Sequence, residues 1–580
     1  MENVNVKING RDYSVPANAS VLEAARYAGI DIPTLCYLKD INEIGACRLC
    51  LVEVKGARGL VTACVYPVNE GMEITTDSPK IRAARKMNLQ LLLSNHEKKC
   101  LSCIRSTTCE LQKLCNDYNV DEDYFKGAKN EYPLDTSSVA IIRDNNKCIL
   151  CRRCVAACQN MQEIGVIGPN DRGFDTHIGS PFEVKLAETS CINCGQCIVA
   201  CPVGALYERD DTDKVFEALA DPTKHVAICT APSVRATLGE AFGYEPGTDV
   251  EGKMVAALKR LGFDGVYDMN LTADLTIMEE AHEFLDRFTK GEKLPLITSC
   301  SPGWIKYCEH YFPEFTDNLS TCKSPQQMFG AMYKTYYAQK NGLDPKDIVF
   351  VSAIPCTAKK FEVKRDGQSA AGEGIPDVDV AITTRELARM IEKASINFRA
   401  LDDEAFDEPF AEASGAGAIF GATGGVMEAA LRTAAEVVLG KPLEKLEFDE
   451  VRGIAGIKKA TYKLGDVTVR VAVASGTANA KKLLRSIQAG ETEVDFIEIM
   501  ACPGGCVNGG GQPYQPAVVR NNVNLKELRA KVLYHDDDVN DLRKSHENSA
   551  VKIIYDEFFG KPNSHKAHEI LHTHYVKRGL

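Results

Sequence analysis

The chain has 580 residues, 44% hydrophobic and 26% charged, with 68 Lys and Arg against 80 Asp and Glu and a formal net charge of −12. That length is too great for one hydrophobic core, so several domains are expected; the ordinary composition excludes wholesale disorder, and the acidic balance argues against a nucleic-acid binder. No apolar run approaches the roughly 18 residues of a membrane span, and the opening MENVNVKINGRDYSV carries no export signal, so no membrane insertion and a cytoplasmic location are expected.

In chain order, VNVKING and RDYSVPA alternate like strands around Asn9-Gly10, a hairpin signal, and a short helical pattern follows from Ser20. Residues 80–115 read as helical and lead into a thiol-rich stretch, and 116–145 read as acidic loop. Between 146 and 208 the chain repeats itself: CILCRRCVAAC at 148–158 returns as CINCGQCIVACP at 191–202. Beyond about 215, HVAIC, LPLIT, DIVFVSA and VDVAIT alternate with amphipathic helical stretches, which predicts an α/β body.

Cysteine usage dominates the front. Sixteen of the 23 cysteines lie between Cys36 and Cys201. In a large chain without an export signal, metal ligation is a better reading than disulfides. Cys36, Cys47, Cys50 and Cys64, spaced C-x10-C-x2-C-x13-C, suit a 2Fe-2S cluster, with structural zinc as the alternative. His96, Cys100, Cys103 and Cys109 offer one imidazole and three thiolates for a 4Fe-4S cluster or zinc, and Cys115 is left over as structural. The repeat is more specific. C-x2-C-x2-C-x3-C occurs twice, the two-cluster bacterial ferredoxin pattern in which each run's fourth cysteine serves the other cluster. Cys148, Cys151, Cys154 and Cys201 are assigned to one 4Fe-4S centre, and Cys191, Cys194, Cys197 and Cys158 to the other. Four clusters in about 200 residues make an electron wire.

The wire needs a terminus. Three islands stand out downstream: TSCSPGW at 298–304, IPCTAKKFE at 354–362 and EIMACPGGCVNGGGQP at 498–513. A buried cysteine beside proline is usually inert, but three such islands, one with C-x3-C beside a glycine run, suggest a metal site enclosed by tight loops. At these residues the chain resembles the iron-only (FeFe) hydrogenases, whose signatures are TSCCPxW, MPCxxKxxE and ExMACxxGCxxGGGxP. The resemblance spans nearly the whole chain, including all four accessory-cluster sets.

The resemblance implies an α/β multidomain fold. Residues 1–79 would form a β-grasp, ferredoxin-like 2Fe-2S domain, 80–125 a 4Fe-4S segment with one histidine and three cysteines as ligands, and 140–210 a two-cluster ferredoxin domain. Residues 215–580 would form the catalytic domain, built around an H-cluster: a 4Fe-4S cubane joined to a diiron azadithiolate unit carrying CO and cyanide. Carried over by motif, Cys356, Cys502 and Cys506 would ligate the cubane, with Cys506 bridging to the diiron unit. Lys359 would hydrogen-bond one cyanide, Ala231-Pro232-Ser233 would line the other, and Met500 would pack against the diiron site. Cys300 matches the proton-relay thiol, and Glu280, Ser320 and Glu283 match the relay to solvent. Read without the family, EEAHE at 279–283 is an ordinary solvated helix face.

Two residues depart from the pattern. Ser301 stands where the family has its fourth cubane cysteine, and serine is a harder, less acidic donor. Ser301 as alkoxide, Cys300 swung round to ligate, and an unusual fourth ligand all stay open. Ile354 replaces the methionine of MPC, which predicts altered redox tuning. The function implied is reversible 2H⁺ + 2e⁻ ⇌ H₂, in a chain matured by hydrogenase maturation proteins. Its electron partners would be ferredoxin, flavin-containing NAD(P)-reducing subunits, or both. The Gly-rich stretch at 414–425 lacks a nucleotide fingerprint and reads as close packing near the cofactor, so NAD(P) chemistry would need partner subunits. Membership of such a complex, sometimes electron-bifurcating, is placed ahead of a stand-alone ferredoxin hydrogenase and of a low-activity hydrogen-sensing or electron-transfer relative.

Overall fold

The structure, a computed structural model, describes residues 2–579, which divide into two compact units. The first comprises residues up to Thr189 with Gln196–Tyr207 and Tyr514–Val523.

Its N-terminal sheet follows from alternation. In β1 (Asn3–Ile8), Val6 and Ile8 point into the core while the intervening residues face out. Asn9 and Gly10 both take positive φ, 49° and 82°, and turn the chain into antiparallel β2 (Arg11–Pro16), as the Asn-Gly pair predicts. Helix α1 (Val21–Tyr27) opens with a capping box in which the Ser20 and Glu23 side chains satisfy each other's backbone N–H groups. With β3 (Leu51–Val54), β4 (Val61–Thr62) and β5 (Glu73–Thr75), the sheet order is β2-β1-β5-β3-β4. Valines, Ile8 and α1 fill its core. Helix α2 (Pro79–Ser94) stops short of the stretch expected to be helical. Residues 95–109 instead turn repeatedly, with one 3₁₀ turn at Cys100–Ser102, and α-helix resumes only at Glu110.

The second unit holds two four-stranded sheets. In one, β6 (His225–Thr230), β7 (Gly265–Asp268), β9 (Ile348–Ile354) and β10 (Val380–Thr383) run parallel in the order β7-β6-β9-β10. In the other, β8 (Leu296–Ile297), β13 (Phe496–Met500) and β12 (Val467–Ser475) are parallel, and β11 (Ile457–Leu464) adds an antiparallel edge. Most of the parallel strands are buried on both faces, which is why they read as continuous apolar runs. Helices α3 (Asn270–Lys290), α4 (Pro302–Tyr311), α5 (Gly425–Leu439) and α6 (His565–Leu571) belong to this unit. No helix among the described residues is long and apolar enough to cross a membrane.

Candidate metal centres and an enclosed cavity

All 23 cysteines are free thiols. In the first unit, Cys36, Cys47, Cys50 and Cys64 are all buried, and the Cys50 and Cys64 sulfurs lie 3.3 Å apart. Hydrogen bonds from Cys47 and Cys64 pull the Cys36 thiol far below its usual range, while Cys47 and Cys64 are pushed up. Four sulfurs that compete for protons in a buried spot form a donor set suited to cationic iron.

His96 is buried with Nδ1 unpartnered, and burial lowers its pKa to about 4, so it is a neutral imidazole able to bind metal. The nearby thiols are crowded: a Cβ on Gly204 would sit 2.6 Å from the Cys103 sulfur. Arg105 fastens this segment by donating to the Cys201 carbonyl at 2.8 Å and stacking its guanidinium 3.8 Å from the Tyr514 ring centre.

Cys148, Cys151, Cys154 and Cys201 line a single cavity walled by Ile149, Ile167, Ile178 and Val203. Burial pushes the Cys148 thiol up to about 12 and Cys151 and Cys154 higher still. The loops explain how sulfurs two residues apart converge. Leu150 and Arg152 take left-handed φ of 53° and 60°, which turns the Leu150 N–H onto the Cys148 sulfur at 3.4 Å. At the matching positions of the second copy, Asn193 and Gly195 take φ of 58° and 70°. Of the other cysteine set, Cys158 and Cys197 belong to the first unit and Cys191 and Cys194 to the second.

In the second unit, functional residues gather at the carboxyl ends of parallel strands, where open α/β sheets bind ligands. Ala231-Pro232-Ser233 follows β6, Cys300 and Ser301 follow β8, Pro355 and Cys356 follow β9, and Cys502 follows β13. Ala231, Pro232, Ser233, Cys300, Ile354, Cys356, Lys359, Met500 and Cys506 all line one cavity. Gly505, at φ 93°, brings Cys506 in: a Cβ there would lie 2.7 Å from the Thr423 nitrogen. Burial, then the neighbouring Cys356, pushes the Cys506 thiol up to about 12. The Ser233 hydroxyl is fully buried, faces this cavity and has no partner among the described residues. Lys359 Nζ donates to the Cys300 carbonyl at 3.1 Å and to Glu362 at 2.9 Å, and Ser324 and Gln326 hold Glu362 in turn. Ser301 Oγ accepts the Ala501 N–H at 3.2 Å, immediately before Cys502.

The acidic string on α3 is buried, not solvated: Glu279, Glu280 and Glu283 are 0%, 1% and 8% exposed. Burial raises Glu280 to about 8 despite its hydrogen bonding with Ser320, and Glu283 nearby adds to the rise. The Ser320 hydroxyl donates its one hydrogen to Glu283 at 3.0 Å, which leaves its oxygen to accept from protonated Glu280. Arg287, one turn along α3, donates to Glu283 at 2.6 Å. Burial, then Glu280, drives the Cys300 thiol far up, so it stays protonated.

Sequence reasoning missed several residues here. Met269, Ala273, Pro325, Phe420 and Gly421 also line the cavity; of these, Phe420 and Gly421 lie in the Gly-rich stretch and so carry a signal. The E-x3-R spacing of Glu283 and Arg287 was readable as an i,i+4 ion pair. Glu498, first residue of the third island, accepts the Gly424 and Met427 N–H groups at the start of α5, at 2.6 and 2.8 Å.

Residues 224–510 match the family described as iron only hydrogenase large subunit, C-terminal domain, and 523–578 match iron hydrogenase small subunit. The front matches a 2Fe-2S iron-sulfur cluster binding domain at 1–79, the iron-sulfur binding region of NADH-ubiquinone oxidoreductase G at 85–123 and a 4Fe-4S dicluster domain at 147–205. The chain is similar to the NADP-reducing hydrogenase subunit HndD of Solidesulfovibrio fructosivorans, 49% identical over the full length of both. It is similar to iron hydrogenase 1 of Clostridium pasteurianum, 45% identical over 98% of this chain and 99% of that one. A solved HydA1 [FeFe]-hydrogenase variant of Chlamydomonas reinhardtii is 42% identical with TM-score 0.57, covering 63% of this chain and 99% of that one.

Proposed function

The chain belongs to the iron-only hydrogenase family and is an oxidoreductase acting on hydrogen with an iron–sulfur electron relay; from there we propose that it is the hydrogenase subunit of an NAD(P)-linked cytoplasmic complex. The observation that supports this is the end-to-end match to an NADP-reducing hydrogenase subunit. Nicotinamide chemistry then belongs to flavin-containing partner subunits, and cysteines unpaired in disulfides suit a reducing compartment. The similarity to the clostridial enzyme over nearly all of both chains favours a second reading, a stand-alone ferredoxin hydrogenase. Purifying the native assembly separates them. A flavin-containing companion with H₂-dependent NAD(P)⁺ reduction supports the complex, whereas a lone chain exchanging electrons only with ferredoxin supports the second reading.

The cavity fits an H-cluster by its donors: thiols from three strand-end loops, an anchored ammonium and an unpaired buried hydroxyl. Cys356, Cys502 and Cys506 would hold it, with Ser301 the candidate for the fourth position. When bound, the group supplies the iron pair at which protons, electrons and H₂ interconvert. Lys359, fixed by Glu362, directs its charge into the cavity, and the Ser233 hydroxyl offers a further donor. Pro232, Ile354, Phe420 and Met500 exclude water.

The proton path is Cys300, Glu280, Ser320, Glu283. Cys300 keeps its proton until it is drawn inward. Glu280, with its pKa near the operating pH, gives and takes. Ser320 passes one proton as it receives another, and Arg287 steadies Glu283. The hydrogen couple at pH 7 lies near about −0.41 V, close to low-potential ferredoxin clusters, so electrons need no large uphill step. Hydrogenase maturation proteins would be needed to build the diiron unit.

A further inference from the structure

The C-terminal segment that matches the small-subunit family brings a histidine against the outer end of this path. His572, just past α6, is 8% exposed, and both its ring nitrogens are engaged. Nδ1 lies 2.7 Å from Thr321 Oγ1, and Nε2 lies 3.0 Å from Glu279 Oε2. The Thr321 hydroxyl in turn reaches Glu283 Oε1 at 3.1 Å. Glu279 is held as an acceptor by the Tyr555 hydroxyl and by the Asn563 N–H at 2.8 Å. A carboxylate oxygen of Glu283, the Cys322 sulfur and a ring nitrogen of His572 come within 4.8 Å of one another. Because both ring nitrogens are already engaged, this grouping is better used for protons than for a metal ion.

We infer that His572 is a proton-loading branch of the relay, taking a proton from Glu283 through the Thr321 hydroxyl and holding it against Glu279. The inference rests on Glu283 being a relay group. The transfer balances without an oxidant or reductant. The Glu283 carboxyl proton moves to Thr321 Oγ1 as the Thr321 proton moves to His572 Nδ1, while Nε2–H keeps donating to Glu279. Glu283 becomes a carboxylate and His572 an imidazolium, so net charge is conserved. A hydroxyl between a carboxyl and an imidazole can run this exchange either way, since it both donates and accepts. The exposed His568 ring lies tilted against His572 with centroids 4.0 Å apart, so the branch ends against the surface. The charged and titratable groups around His572 are Glu279, Glu283 and Arg287 from α3, with Cys322, Tyr555 and His568 from the segments packed on it. A hydrogen reaction that delivers or consumes two protons per turnover gains from such a store beside a one-lane path.

The test uses the matured full-length holoenzyme with reduced viologen as electron donor. His572→Gln keeps hydrogen-bonding capacity towards Thr321 and Glu279 but cannot carry a proton, and Thr321→Val removes the connecting hydroxyl at nearly constant volume. Both should lower H₂ evolution by about tenfold, less than the usual 10²–10⁴-fold general acid–base effect because the main path remains. The solvent deuterium isotope effect should rise, the pH profile should narrow, and infrared and EPR signals of the cofactors should stay unchanged. Imidazole added to His572→Ala should restore part of the lost rate. Unchanged rates and pH profiles in both His572→Gln and Thr321→Val, with Glu283→Gln inactive, would overturn the inference and leave the relay standing. An active Glu283→Gln would instead remove the relay on which the inference rests.

Discussion

The front unit and the catalytic unit build metal sites in opposite ways. In the front, most of a site is written in one short run: Cys148, Cys151 and Cys154 stand together and only Cys201 joins their cavity from farther along. The left-handed residues Leu150 and Arg152 already turn the Leu150 N–H onto the Cys148 sulfur. In the catalytic unit no short run makes a site. Ser233, Cys300, Cys356 and Cys506 reach one cavity from the ends of different strands, and only the two sheets put them there. Loop-written sites tolerate changes elsewhere in the fold. A strand-end site is only as good as the whole body that holds it, so single changes in it should cost more.

The largest effects test that contrast directly. Cys506→Ala should abolish turnover and the H-cluster signals together. Cys300→Ala should abolish turnover, by about 10²-fold or more, while the infrared signature of the cofactor persists; retained activity would take Cys300 out of the relay. In the front, His96→Ala should remove or shift one 4Fe-4S EPR signal and leave the other centres and viologen-linked turnover intact. A full set of unchanged signals would make His96 a bystander.

Smaller effects sharpen the account of the cavity. If Ser301 contributes its oxygen, Ser301→Cys should leave the cubane assembled but change its EPR spectrum and potential; an unchanged spectrum removes Ser301 as a ligand. The smallest expected effect is on pH-dependent stability. Glu280, raised to about 8, binds a proton in the folded chain that it releases near the ordinary carboxyl range when unfolded. The folded state therefore loses stability as pH rises from that range to about 8, at about 1.4 kcal/mol per unit for one carboxyl. Glu280→Gln should flatten this decline in urea melts. An equally steep decline in the variant would place the titration elsewhere.

How much of this was legible follows the same division. Spacing revealed the ferredoxin repeat because its geometry is local, and Asn9-Gly10 and the buried strands β6, β9 and β10 follow from short patterns. The acidic string on α3 could not be read from its own letters. Glu279, Glu280 and Glu283 look like a solvent face, yet Thr321, Tyr555, Asn563 and His572, distant in sequence, fold over them. Met269 and Pro325 are invisible for another reason: an apolar residue facing a cavity has the same letter as one facing the core. The segment at 523–578 that matches the small-subunit family carries no signal of its own in the sequence, and the packing of its His572 on Thr321 emerges only from the fold.

The central claim is that the cavity lined by Cys300, Cys356, Lys359 and Cys506 holds a diiron unit. Infrared spectroscopy of the anaerobically matured full-length chain tests it most directly. The account predicts bands from metal-bound CO and cyanide that shift when H₂ is admitted. A protein with all its cubanes and ferredoxin-type clusters assembled, but no such bands after maturation, would contradict it.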